Sequence, residues 1–170
     1  MTKLDISENQ VSTVYLGIGS NLGNRIINIE KAKSLLVQNN INLISISSYF
    51  ETFSWPDPKK PKFINIIIKA ECQHKPIKLL KLCKLIESKL GRKKTPRNSP
   101  RECDIDIIDF NGLNLTSEIN LPHKMMHKRS FVLLPLFQIE KKWIHPIKKV
   151  SIKKLINSLS NNDISSIKQI

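Results

Sequence analysis

The strongest constraint on how this chain can fold is an alternation of hydrophobic periods, from two residues to 3.6 and back, repeated twice. Thr13 to Gly19 sets Val14, Leu16 and Ile18 at every second position, the pattern of a strand buried on one face. From Asn24 to about Asn40, Ile27, Ala32, Leu35 and Leu36 fall on one helical stripe. A second strand is expected from about Ile41 to Phe53. A third follows from Phe63 to Cys72, with the continuous Ile66-Ile67-Ile68 of a buried position. Pro76 suits a first helical turn, and Leu79, Leu80, Cys83, Ile86 and Leu90 form an apolar stripe that Gly91 ends. A fourth strand, Cys103 to Phe110, closes at Asn111-Gly112.

That order describes an α+β fold with a ferredoxin-like β-α-β-β-α-β core, in which two helices cover one side of a mainly antiparallel sheet. Phe131 to Ile139 and Val150 to Leu159 read as further helices. Between the second and third strands, residues 54–61 carry Pro56, Pro58 and Pro61, which exclude a helix or a central strand. No internal repeat or composition shift marks a second domain. The expected division is a flexible N-terminal extension over residues 1–12, a single domain over 13–159 and a fraying tail over 160–170.

At 170 residues and 40% hydrophobic, the chain can bury one core, and its dense apolar clusters set it apart from a disordered polyelectrolyte despite a formal charge of +14. Its longest apolar runs, such as Phe131 to Leu134, fall far short of the ~18 to 20 residues that cross a bilayer. Residues 1–10 hold no apolar core of signal-peptide length, so a cytoplasmic protein without a membrane partner is expected. Cys72, Cys83 and Cys103, odd in number and without Cys-x-x-Cys spacing, read as buried thiols. A strongly basic balance is the footprint of a chain that handles phosphates. The lysines are spread along the whole sequence, whereas Arg92, Arg97 and Arg101 lie within ten residues, and arginine is the better bidentate phosphate ligand.

The sharpest local feature is Asp104-Ile105-Asp106 on the fourth strand. Alternate strand residues share a face, so the two carboxylates project together, about 7 Å apart, while Ile105 and Ile107 point the other way. Something cationic must sit beside them. One reading is a nucleotide-bound magnesium site, since magnesium takes carboxylate and phosphate oxygens together. The other is a solvent-facing strand whose acids pair with lysines, and Asp109, out of phase, belongs with that second reading. The cationic loop from Gly91 to Arg101, delivered straight into this strand, favours phosphate. The Gly17 to Gly23 loop is no dinucleotide fingerprint, because Leu22 stands where a third glycine would be needed. Its glycines are expected to allow a tight turn and close backbone approach. His123 and His127 have metal-ligand spacing, but Pro122 and the lack of a glutamate between them argue against a zinc protease.

Taken together, seven blocks resemble one family. They are Gly17 to Arg25 (Gly-Ile-Gly-Ser-Asn-Leu-Gly-Asn-Arg), Tyr49 to Thr52, Phe63 to Asn65, Glu87 to Arg92, Pro100 to Ile108, Leu121 to His123, and Arg129 to Leu133. In this order, from about Val14 to Pro146, they are similar to 6-hydroxymethyl-7,8-dihydropterin pyrophosphokinases, diphosphate transferases of folate biosynthesis. The resemblance implies an αβα elaboration of the ferredoxin-like plan and a pyrophosphokinase domain over 13–159.

It also implies that Asp104 and Asp106 hold two magnesium ions on ATP and that Arg92 and Arg101 stabilise the transferring phosphates. Glu87, Lys94, Arg97, Ile107, His123 and Arg129 fall at nucleotide positions. Asn65 matches a residue that reads the pterin edge, Phe63 and Phe131 two aromatics that sandwich the ring, and Thr52, Phe53 and Trp55 the rest of that pocket. Chemistry agrees, because a flat polar heterocycle wants π-faces on both sides and an amide at its edge. The sequence departs from the family pattern at Phe53, where proline is usual, at Lys94 in place of arginine, and at Asn98-Ser99 in place of Trp-Gly. Lys94 keeps the charge and loses the bidentate fork.

The reaction implied is transfer of diphosphate from ATP to a reduced hydroxymethyl pterin by a monomer that uses no nucleic acid. The competing class is a non-catalytic RNA-binding module of the same β-α-β-β-α-β order. That module needs aromatics on its central strands, and here the strands offer only Tyr15 and Phe63, beside acids that would repel RNA.

Overall fold

The computed structural model describes residues 10–170, so most of the expected extension lies outside the described residues, and Ser12 already belongs to the first strand. The elements run β1 (Ser12–Ser20), α1 (Arg25–Gln38), β2 (Asn42–Ile46), β3 (Phe50–Thr52), β4 (Phe63–Cys72), α2 (Pro76–Lys89) and β5 (Asp104–Phe110). A small hairpin of β6 (Leu115–Thr116) and β7 (Asn120–Leu121) follows, then α3 (Ser130–Ile139), α4 (Ile152–Asn157), α5 (Asn161–Ser165) and β8 (Lys168–Gln169). No helix among the described residues is long and apolar enough to cross a membrane.

The chain forms a mixed α and β structure around a mainly antiparallel sheet. β4 lies at its centre, pairing antiparallel with β1, β2 and β3, and β1 lies between β4 and β5, antiparallel to both. The single strand expected over 41–53 is split. Ser47 donates its N–H to the Ile67 carbonyl (2.9 Å), and its hydroxyl accepts from Ile67 N–H (2.9 Å), so a side chain stands in for one rung and the chain re-enters the sheet only at Phe50.

Both sheet faces are covered. Val14, Leu16, Ile18, Ile66 and Ile68 pack under Ile29, Ala32 and Leu36 of α1 and Leu79, Cys83 and Ile86 of α2. Tyr15, Ile67 and Ile108, on the opposite face, pack under Val132, Leu133 and Leu136 of α3 and Ile152 and Leu155 of α4. The three cysteines are buried free thiols, and burial pushes Cys83 and Cys103 up to about 12.

One expectation is corrected. Asp109 is not a solvated strand acid. It is buried, and it accepts from Trp143 Nε1 (2.8 Å) and Gly112 N–H (3.0 Å), fastening the segment after α3 to the sheet. Residues 160–170, expected as a fraying tail, hold α5, capped by Ser160, and β8, which adds to the sheet beside β3.

Candidate active site

A cleft of about 580 Å³ opens on the α3 side of the sheet. Strand register sets its floor, because Gly19 pairs with Asn65 on one side and with Asp104 on the other, while Gly17 pairs with Asp106. An amide, a bare backbone and a carboxylate therefore lie in a row across three strands. Gly19 has to be bare: a Cβ there would stand 2.7 Å from Asn65 Oδ1 and 3.5 Å from the Phe63 ring.

At one end, Phe63 and Asn65 alternate on the cleft face of β4, and Asn65 Nδ2 donates to Thr52 Oγ1 (3.1 Å) with both residues buried. Phe131, in the first turn of α3, lines the same cleft, as do Phe53 and Trp55, the latter 79% exposed at the rim. A guanidinium covers each of the two expected stacking rings, Arg101 over Phe63 at 5.1 Å and Arg129 over Phe131 at 5.5 Å.

The other end is charged, and its two aspartates differ. Asp104 accepts from Arg92 Nη1 (2.5 Å) and Arg101 Nη2 (2.7 Å). Burial alone would raise its pKa, but the two guanidiniums overcome that and hold it below the ordinary carboxylate range. Among the described residues the cations next to Asp106 are His123 Nε2 and Arg129 Nη1, each 3.9 Å from Oδ2. Burial and then the Asp104 charge push its pKa up. His123 is shifted down, chiefly by burial. Arg101 Nε is a buried donor with no partner among the described residues.

Asp106 is thus an under-neutralised carboxylate in a cleft that Arg101 also lines. That suits hard oxygen chemistry, a divalent cation on the acid and a phosphate on the arginine. Among the described residues no three His, Cys, Asp or Glu side chains converge, so two carboxylates would supply part of a coordination sphere, and phosphate and water the rest.

Three loops enclose the site, and Asn21 ties them together. Its N–H donates to the Arg101 carbonyl (3.1 Å), its Oδ1 accepts from Arg101 N–H (2.8 Å), and its Nδ2 donates to Ser54 Oγ (3.2 Å) and Pro61 O (3.1 Å). Lys60 Nζ adds a bond to Asn98 O (3.0 Å), where Asn98 adopts φ +64°, a conformation asparagine tolerates. Arg25 Nη1 anchors the far end of the proline loop through Glu51 (3.0 Å) and Lys62 O (2.9 Å).

Of the residues singled out from the sequence, Thr52, Phe53, Trp55, Phe63, Asn65 and Phe131 line this cleft together with Arg97, Arg101, Asp104, Asp106 and Arg129. Arg92 stands behind Asp104 rather than in the cleft lining. Glu87 is 2% exposed, accepting from Ile105 N–H (2.7 Å) and pairing with Arg92 (2.9 Å), so it meets the site through that arginine. Ile107 faces the core under α1 and α2, and Lys94 lies on an exposed stretch of loop. Asn21 was legible only as a polar residue in a glycine turn. Lys128, Asp163 and Ser166, which also line the cleft, carried no sequence signal.

The family model described as 7,8-dihydro-6-hydroxymethylpterin-pyrophosphokinase (HPPK) matches residues 15–141. A 2-amino-4-hydroxy-6-hydroxymethyldihydropteridine pyrophosphokinase of Aquifex aeolicus is 37% identical over 145 residues, covering 85% of this chain and 90% of its own. The folic acid synthesis protein FOL1 of Dictyostelium discoideum is 38% identical over 87% of this chain, which spans only 22% of that longer protein. Among solved structures, wild-type HPPK-DHPS of Plasmodium falciparum has a TM-score of 0.75 at 16% identity, a likeness of fold; it covers 97% of this chain, which spans 45% of that one. With most of its length matched by the family model and a full-length relative at this identity, the chain belongs to the 7,8-dihydro-6-hydroxymethylpterin-pyrophosphokinase family.

Proposed function

We propose that this chain, as a monomer, transfers diphosphate from ATP to the hydroxymethyl group of 6-hydroxymethyl-7,8-dihydropterin and releases AMP, in folate biosynthesis. The observation that carries the reading is the row Asn65, Gly19, Asp104 across three strands, which sets a heterocycle-reading amide beside a phosphate-handling cluster in one cleft. The strand order β5-β1-β4-β3, with α1 and α2 on one face and α3 and α4 on the other, supports a ferredoxin-like core elaborated into αβα layers.

The pterin enters between Phe63 and Phe131, with Asn65, held by Thr52, at its polar edge. Its hydroxyl oxygen forms a bond to the β-phosphorus in line with the bond that breaks, that to the oxygen bridging to the α-phosphorus. The electron pair leaves with AMP, and the hydroxyl proton is released. Asp104 and Asp106 would hold two magnesium ions, which when bound neutralise charge on the non-reacting phosphate oxygens. Arg101, which lines the cleft, turns its guanidinium to the same oxygens, Arg92 holds Asp104 in place, and Arg129 and His123 flank the nucleotide on the Asp106 side. The loops joined through Asn21 exclude water, which would otherwise compete as acceptor.

Conversion of ATP to AMP, followed with and without added hydroxymethyl-dihydropterin, tests this. AMP formation that requires the pterin is expected; ATP left intact in its presence, or AMP formed equally well in its absence, would overturn the reading.

A further inference from the structure

Neither a sequence motif nor a family position accounts for the part that the C-terminal segment plays in the cleft. In β8, Gln169 pairs with Phe50 and Lys168 with Glu51, so the residues before them run beside Thr52 and the loop that follows it. Two further bonds fasten this end: Ile170 N–H donates to Tyr49 O (3.0 Å), and Gln169 Nε2 donates to Ser48 Oγ (3.1 Å). β3 is three residues long and lies between β4 and β8. A strand this short depends on neighbours for its register, and it carries the hydroxyl that holds Asn65.

From the same segment, Asp163 and Ser166 line the cleft. Asp163 is fixed on three sides. Its N–H donates to Ser160 Oγ (3.1 Å), that hydroxyl donates to Asp163 Oδ2 (2.7 Å), and Ser166 Oγ donates to the Asp163 carbonyl (3.1 Å). Oδ1 accepts no hydrogen bond among the described residues. A carboxylate oxygen only accepts. It therefore complements the amino and ring N–H groups of a neutral heterocycle and repels phosphate, which leaves the phosphates to the arginine end.

Resting on the function proposed above, we propose that residues 160–170 position the pterin: β8 holds β3 and Thr52 in register, and the free Asp163 oxygen accepts from an N–H of the heterocycle. Full-length Asp163→Ala, Asp163→Asn and Ile170→Pro test it, the last because it deletes the N–H given to Tyr49. Calorimetry with the hydroxymethyl pterin and with a non-hydrolysable ATP analogue, KM and kcat for both substrates, and melting curves are measured well below the melting temperature.

Asp163→Ala and Ile170→Pro should each weaken pterin binding about fivefold or more, the loss of roughly one hydrogen bond. ATP-analogue affinity should stay unchanged, and Asp163→Asn should recover most of the pterin affinity because its amide oxygen still accepts. Unchanged pterin affinity, equal weakening of both ligands, or an Asp163→Asn as weak as Asp163→Ala would overturn the proposal. If Ile170→Pro does not fold, the two Asp163 variants decide. An inactive wild type refutes the reaction, whereas an active wild type with insensitive variants refutes only this inference.

Discussion

Truncating the two aspartates of β5 one at a time should have opposite effects on stability and the same effect on turnover. Asp104 accepts two charge-assisted bonds, at 2.5 and 2.7 Å, from half-buried arginines. Losing a hydrogen bond to a charged group costs about 1.5 to 3 kcal/mol each. Arg92 keeps Glu87 and Arg101 keeps the Ser99 carbonyl (3.4 Å), so the net loss for Asp104→Ala is set at about 2 kcal/mol in total. In a chain of this size that lowers Tm by about 4 to 8 °C. Among the described residues Asp106 has no partner within hydrogen-bonding distance, and it is repelled by Asp104, so Asp106→Ala should leave Tm unchanged or raise it. Both variants should lose at least about a hundredfold in kcat, roughly 3 kcal/mol of charge stabilisation. The pH dependence carries the same asymmetry. The raised pKa of Asp106 means that wild type loses stability, relative to Asp106→Asn, as pH rises from the ordinary carboxylate pKa through the folded value. The lowered pKa of Asp104 means that its contribution is present above the ordinary value and is lost as pH falls through the folded one. Melting curves and magnesium-dependent AMP formation on the same proteins check both halves. A destabilised Asp106→Ala with near-normal turnover would show that this acid serves the fold and not the reaction.

Asn65→Ala should weaken the pterin by about 1 to 3 kcal/mol and the ATP analogue far less, read by calorimetry; equal losses would make Asn65 a structural residue. Gly19→Ala, whose Cβ would meet Asn65 Oδ1 at 2.7 Å, should reproduce the Asn65 phenotype by displacing the amide, and a crystal structure of the variant would show Asn65 rotated. Asn21→Ala removes the side-chain bonds to Ser54, Pro61 and Arg101, and should raise KM for both substrates while speeding proteolysis within residues 54–61 and 91–101.

What the sequence disclosed was whatever a local pattern can encode. Alternation over Thr13 to Gly19 and the apolar stripe from Leu79 to Leu90 follow from burial on one face, and both elements form where the pattern puts them. Asp104 and Asp106 share a face because strand geometry permits nothing else. What stayed hidden depends on distant partners. The break at Ser47 exists because its hydroxyl finds Ile67 across the sheet, and β8 forms because β3 offers an open edge to a segment with no apolar period of its own. Glu87 carries a charge into a core position, 2% exposed, that its helical stripe marks only as a place for a side chain. Its reasons are Arg92, five residues on and past the end of α2, Lys84 one turn back, and the Ile105 N–H of β5, and no periodicity records those pairings.

The pairing of Arg92 and Arg101 with Asp104 bears on how a nucleotide is received. Both guanidiniums are already engaged by one carboxylate, so an arriving phosphate cannot simply collect two idle cations. Arginine has five N–H donors, however, and Arg101, which lines the cleft, keeps a buried Nε with no partner among the described residues. An unsatisfied buried donor costs about 1 to 3 kcal/mol, a cost any phosphate oxygen that reaches Nε removes. Asp106 is the complementary defect, a carboxylate with too little positive charge near it. Free ATP would meet Arg101 yet add negative charge near Asp106, worsening the repulsion that already raises its pKa. A cation carried on the phosphates reverses that sign, since it neutralises Asp106 while the oxygens satisfy Arg101. The two local faults are opposite in charge and line one cleft, so on the proposed reading the metal-bound nucleotide should bind more tightly than the bare one.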